Sequence, residues 1–105
     1  MSVNPHDRVF LALASPLRRQ ILAFLGQTAL ATTDLARTFG LSAPALSRHL
    51  ALLLRAGLVS AERQRQRVLY RLRRDALLDA LARFASELDG PLRRPAPPRP
   101  PREAI

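Results

Sequence analysis

The stretch Leu41–Leu58, LSAPALSRHLALLLRAGL, decides how the rest of the chain is read. Ser42 is a good N-cap, because its hydroxyl can accept one of the free backbone N–H groups of a first helical turn, and Pro44 falls within that turn, where a missing N–H costs little. Leu46, Leu50, Leu53, Leu54 and Leu58 recur at spacings of four, three, one and four, which turns one side of the helix toward a core. Gly57 ends it. The outward side then shows Ala43, Ser47, Arg48, Ala51 and Arg55 with His49 at its margin, and no acid occurs from Gly40 to Ala61. A helix that must lie against phosphate needs small or polar side chains, cations and no carboxylate.

Upstream, a first helix is expected from Pro5 to Ala14, with Val9, Phe10 and Leu13 forming an apolar stripe. Ser15 caps a second helix with Pro16 at its first position; Leu17, Ile21, Leu22 and Leu25 give it a buried face, and Gly26 closes it. A linker, Gln27–Ala31, leads to a short helix that begins at Thr32 or Thr33 and ends at Phe39, with Leu35, Ala36 and Phe39 inward. Gly40 supplies the sharp turn into the helix capped by Ser42.

Downstream of Gly57 the period changes. Leu58–Arg63 and Arg67–Leu72 suit an antiparallel hairpin, the second segment carrying the β-formers Val68, Leu69 and Tyr70. The turn Gln64–Gln66 lacks Gly and Asn, so a loose tip is expected in place of a tight two-residue turn. From Arg63 to Arg74 there are six Arg and no acid, the densest charge in the chain and next to the capped helix. A wing that grips the DNA backbone or minor groove is the reading preferred to a merely solvated hairpin. Asp75 begins the last helix, where the helix dipole favours an acid. Its stripe of Leu77, Leu78, Leu81, Phe84, Ala85 and Leu88 is longer than a small monomer needs to cover, so Val9, Phe10, Leu13, Leu77, Leu81, Phe84 and Leu88 are candidate dimerisation residues. Gly90 and Pro91 stop the helix. Residues 1–90 are therefore expected to form one domain, and residues 91–105, rich in Pro and Arg, a disordered tail.

The totals fit one modest core in 105 residues, with 17 basic residues against 8 acidic ones for a net charge of +9. Every basic residue is Arg, a usage that codon bias in a GC-rich genome also produces. The tail's four Arg and Glu103 contribute +3, so residues 1–90 carry +6 and the domain is basic without its tail. Such charge points first to nucleic acid. No segment approaches about 18 uninterrupted apolar residues, so no transmembrane helix and no membrane partner are expected. The start MSVNPHDRVF does not resemble a secretion signal, and a cytoplasmic location is expected. The chain has no cysteine, which removes disulfides, thiolate metal sites and thiol redox sensing together.

In this order the pieces resemble the ArsR/SmtB family of bacterial winged-helix repressors. The resemblance covers Phe10–Leu88 and rests on LALASPLRRQIL (Leu11–Leu22), DLARTFGLSAPALSRHLALLLRAGLV (Asp34–Val59) and VLYRL (Val68–Leu72), three pieces in the expected order and distances. It implies a mainly α fold with a β-hairpin wing, an α+β winged helix-turn-helix of order α-α-α-α-β-β-α. It also implies a homodimer that binds double-stranded DNA at an inverted-repeat operator, blocks transcription and in many members lets go when an effector binds. The residues that meet DNA in the family correspond here to Ser42, Ala43, Pro44, Ser47, Arg48 and, at the margin, His49; the charge of the hairpin adds Arg63, Arg65 and Arg67 as candidates on the wing. Arg48 can make a bidentate contact to guanine, Ser42 or Ser47 can bond phosphate or a base edge, and Ala43 and Pro44 offer only apolar contact. His49, beside Leu50, also reads as a packed, hydrogen-bonded residue.

The departures from the family pattern bear on regulation. Metal-sensing members place cysteines where this chain has Ala31 and Thr33, and others pair Asp with His on the last helix, which here has Asp75, Asp79, Glu87 and Asp89 but no His. Borderline metals favour nitrogen or sulfur ligands, so neither a metal nor another cofactor is expected. Relief would require a small organic ligand, a protein effector or a change in the protein's own abundance. An alternative use of the same fold is a protein-interaction module whose basic face meets an acidic partner. That version calls for exposed aromatic or large aliphatic anchors on Ser42–Arg55, and none is expected there. A cationic membrane-surface protein would place its basic residues on a long amphipathic helix, whereas here they crowd a hairpin. An enzyme is disfavoured by the absence of Cys, the distance between His6 and His49, and the lack of a phosphate loop or paired-carboxylate motif.

Overall fold

Two serines and two glycines mark out the helices that matter most. The computed structural model describes residues 5–91, and the expectation of disorder for the Pro/Arg-rich tail therefore lies, apart from Pro91, outside the described residues. Helix α1 (Pro5–Leu13) is followed by α2 (Pro16–Leu25), where Ser15 accepts from the Arg18 N–H at 3.2 Å and Pro16 fills the first position. Strand β1 (Leu30–Ala31) leads into α3 (Thr32–Phe39), and α4 (Ala43–Arg55) begins under Ser42, whose Oγ accepts from the Ala45 N–H at 3.3 Å. Strands β2 (Val59–Gln64) and β3 (Arg67–Leu72) and helix α5 (Arg74–Asp89) complete the order.

Both glycines that flank α4 sit in the left-handed region and close a helix in the same way. After α3, Gly40 has φ 63°, its N–H reaches the Arg37 carbonyl at 3.4 Å, and the Leu41 N–H reaches Ala36 at 3.0 Å. After α4, Gly57 has φ 74°, its N–H bonds Leu54 at 3.0 Å, and the Leu58 N–H bonds Leu53 at 3.0 Å. These are Schellman closures, which satisfy orphan carbonyls and need a residue without a Cβ penalty at positive φ. The second brings its expected hydrophobic contact, since Leu53 and Leu58 are both fully buried. Gly40 thus sets the entry of α4 and Gly57 its exit into the hairpin.

The core collects one face of each helix: Ile21 and Leu25 from α2, Leu35 from α3, Leu46, Leu50 and Leu53 from α4, with Leu58, Val59 and Ala80 closing it. Each large aliphatic side chain buried there contributes about 1.5–3 kcal/mol. The sheet has the order β1-β3-β2 and is antiparallel throughout, with Ala31 opposite Leu69, Val59 opposite Leu72 and Gln64 opposite Arg67.

The architecture is the expected winged helix-turn-helix, with four local differences. The linker holds β1, which pairs with β3 and makes the hairpin a three-stranded sheet. The wing turn is a tight two-residue one, because Gln64 pairs with Arg67 and Arg65 takes φ 57° in place of the missing glycine. Helix α1 stops at Leu13, one residue early, and α5 starts at Arg74, one residue before Asp75. Finally, Leu54 lies outside the core at 38 % exposure, as does Leu52 at 39 %. Adjacent residues on a helix point about 100° apart, so with Leu53 at the centre of the buried face its neighbours fall to either side. The second half of α4 therefore does show large aliphatic side chains to solvent, contrary to expectation.

Candidate nucleic-acid interface

Everything that α4 offers at its start is open to solvent. Ser42, Ala43, Pro44, Ser47 and Arg48 are all exposed, while Leu46 and Leu50 between them anchor the helix to the core. The Ser42 hydroxyl is engaged as the cap, which leaves a second lone pair and its own proton for a phosphate oxygen. The first-turn N–H groups carry the positive end of the helix dipole, and no acid stands in that turn to oppose an incoming anion.

His49 is half-buried and has a partner. The Arg18 NH1 group lies 3.3 Å from its Nδ1, and a guanidinium can only donate, so Nδ1 is the acceptor in this contact. Arg18 does more than hold His49. Its Nε donates to the Ala12 carbonyl at 2.8 Å and its NH2 to the Leu11 carbonyl at 3.0 Å, which also accepts from the Ala14 N–H at 3.3 Å; both carbonyls belong to the last turn of α1. One side chain of α2 thereby ties the end of α1 to α4. His49 is thus a packing contact of the helix, with one edge left toward the outward face.

On the wing, Arg63, Arg65 and Arg67 are exposed at and beside the turn. Arg67 reaches back to Asp34 of α3, with NH2 3.4 Å from Oδ2. Thr32 makes a second tie, its Oγ1 donating to the Val68 carbonyl at 3.4 Å. Nearer the root, Arg71 lies 3.7 Å from Glu62 on the adjoining strand. Exposed pairs of this kind are worth about 0–1 kcal/mol, so Arg67 and Arg71 can exchange their carboxylates for phosphates at little cost. Arg63 and Arg65 have no carboxylate partner among the described residues. The reading of the sequence missed Arg18 and Asp34 as supports; a partner 31 or 33 residues away leaves no local signal.

The expected dimer residues divide. Val9 is 6 % exposed and belongs to the monomer core, whereas Leu13 and Leu77 are partly buried and pack against that core. Phe10, Leu81, Phe84 and Leu88 are exposed, Leu88 by 70 %, and Leu78 adds to them. Phe10 of α1 and Phe84 of α5 meet edge to face, with centroids 5.4 Å apart, so the exposed apolar side chains of the two helices join at this pair.

A family model described as a helix-turn-helix domain matches residues 13–60, from the end of α1 through α4 into β2. The chain is 35 % identical over 75 residues to the transcriptional repressor SdpR of Bacillus subtilis, covering 71 % of this chain and 83 % of that protein. It superposes with a TM-score of 0.70 on an ArsR-like transcriptional regulator from Rhodococcus sp. RHA1, at 30 % identity over 81 % of this chain and 83 % of that one. The chain belongs to the ArsR family. It is accordingly a transcriptional regulator with a winged helix-turn-helix DNA-binding domain. A homodimeric winged helix-turn-helix DNA-binding domain from Mycobacterium bovis, solved in solution, is also similar, at 34 % identity, 81 % of each chain and a TM-score of 0.67.

In this ArsR chain, Ala31 is buried at the end of β1 and Thr33 is exposed in the first turn of α3. Among the described residues, no group of three or more His, Asp or Glu side chains is placed to hold a metal ion. No described helix is long and apolar enough to cross a membrane.

Proposed function

We propose that this ArsR-family regulator is a homodimeric, metal-independent repressor that reads an inverted-repeat operator in double-stranded DNA. The observations that carry the proposal are the acid-free, solvent-facing start of α4, with Ser47 and Arg48 raised on a buried base of Leu46 and Leu50, and the three exposed arginines at the tip of the wing. Arg48 takes the base-reading role and Ser42 and Ser47 the phosphate or base-edge contacts, while Arg63, Arg65 and Arg67 hold the backbone or minor groove. The second copy docks on the surface of Phe10, Leu81, Phe84 and Leu88, in keeping with the homodimeric Mycobacterium bovis relative. Two α4 helices then face successive major grooves. Repression is the role named for the Bacillus subtilis relative. The absence of cysteine and of histidine on α5 supports control without metal or thiol chemistry, and the protein acts in the cytoplasm, where its DNA lies.

A second use of the fold, binding an acidic protein partner, draws on the exposed Leu52 and Leu54. Selection of bound DNA from a random pool by the purified protein separates the two. The repressor reading expects an enriched inverted repeat with half-sites about one helical turn, roughly 34–36 Å, apart. Binding that shows no enrichment and simply fades with salt would refute sequence readout and favour the protein partner.

A further inference from the structure

We propose that the open pocket between α2, the end of β3 and the first half of α5 is a binding site for a small organic anion with an apolar body, of which a medium-chain carboxylate is the simplest form. The cavity has a volume of about 530 Å³, within the range of small-molecule sites. Its walls are mainly apolar, with Leu13 of α1, Leu22 of α2, Leu72 of β3 and Leu77 and Leu81 of α5. Two cations, Arg19 and Arg74, also line it, and among the described residues no acid does.

Both guanidiniums are held in place without being neutralised. Arg19 donates from NH1 to the Leu13 carbonyl, and Arg74 donates from NH2 to the Gly26 carbonyl at 3.0 Å. Each bond engages one nitrogen and leaves the others free to donate to a ligand. Among the described residues neither arginine has a carboxylate in ion-pair range, although Arg67, Arg71 and Arg83 all do. A leucine-walled space with two oriented, unneutralised guanidiniums selects an anionic head and an apolar tail, and disfavours a cation of the same shape.

The position suggests a consequence, which rests on the DNA-binding reading while the binding itself does not. Leu72 ends the strand that carries the wing, and Arg74 opens the helix that carries the proposed dimer surface. An occupant touches the root of both, and shifts DNA affinity by as much as it prefers one arrangement of wing and α5 over another.

The test is nitrogen-15 NMR of the full chain titrated with octanoate, with octylammonium as the charge-reversed probe of the same tail. Octanoate should move the amide resonances of Ala23, Gly26, Gln27 and Leu72, and octylammonium should leave them in place. Arg19→Gln with Arg74→Gln should weaken octanoate at least about tenfold, as the loss of hydrogen bonds from charged donors requires. Equal responses to the two probes, shifts confined to the exposed Leu78 and Leu88, or no shifts at all would overturn the assignment. So would loss of dimerisation in Ala23→Trp, which fills the space, without any octanoate response: the occupant would then be the second copy. An operator found by selection with no octanoate binding refutes only the cavity. Octanoate binding without an operator upholds the cavity and refutes the DNA reading.

Discussion

Arg18 joins three helices, and removing its donors should cost more than any exposed arginine in the chain. In Arg18→Met the side chain keeps its length and apolar stem but loses the bonds to the Leu11 and Ala12 carbonyls and to His49 Nδ1. A bond from a charged donor is worth about 1.5–3 kcal/mol when well formed and buried. Two of these three are partly buried and one is exposed, so a total of about 2–4 kcal/mol is expected once solvent replacement is allowed for. The lost cation at the C-terminal end of α1 accounts for about 0.3–1 kcal/mol of that. In a domain of this size each kcal/mol moves the melting temperature by about 4–8 °C, so Arg18→Met should melt about 8–32 °C lower. Circular dichroism melts at one fixed protein concentration measure this, because dimerisation would make the midpoint concentration-dependent. Arg19→Met is the control: it loses a single exposed bond, to Leu13, and should cost about 1 kcal/mol or less. A drop below about 3 °C for Arg18→Met, or one no larger than the control's, would refute the idea that this arginine ties α1 to α4.

Four further outcomes follow from the site. Arg48→Ala should weaken operator binding by about 1–3 kcal/mol and relax preference at one base pair per half-site, measured by fluorescence anisotropy against a panel of operator variants. Arg65→Ala should weaken all DNA alike and reduce the slope of log affinity against log salt by about one unit per half-site, and an unchanged slope would remove the wing tip from the interface. Asp34→Asn should free Arg67 for phosphate, strengthening DNA binding modestly while costing about 0–1 kcal/mol in a denaturant titration. Phe84→Glu breaks the edge contact with Phe10 and places a charge on the apolar face, so sedimentation should show monomer at concentrations where the parent is dimeric, with the fold intact by circular dichroism.

Much of the fold around the proposed interface is legible in the sequence. Ser15 and Ser42 announce helix starts because a cap bonds an N–H three residues away, and Gly40 and Gly57 announce stops because positive φ is expensive for other residues. The acid-free run Gly40–Ala61 and the arginines after it are properties of composition, visible without folding. The wing turn was misjudged because Arg65 adopts a conformation its type disfavours, held there by the strand pairing on either side. Strand β1 was missed because two residues are too few to show a period of two.

What the sequence by itself determined is everything carried by contacts within about four residues: the caps, the closures, the periodic stripes and the sign of the charge on each segment. Which apolar residues are shared with solvent needed the assembled fold. Val9 went into the core and Leu54 out of it because a helix face is wider than the seam it fills, and only the neighbouring elements fix where that seam runs. The tertiary structure alone also paired Arg18 with His49 and Arg67 with Asp34, and placed Arg19 and Arg74 over a largely apolar pocket with no counter-ion among the described residues. A long, flexible cation has no preferred partner along the chain, so packing brings one within reach or supplies none.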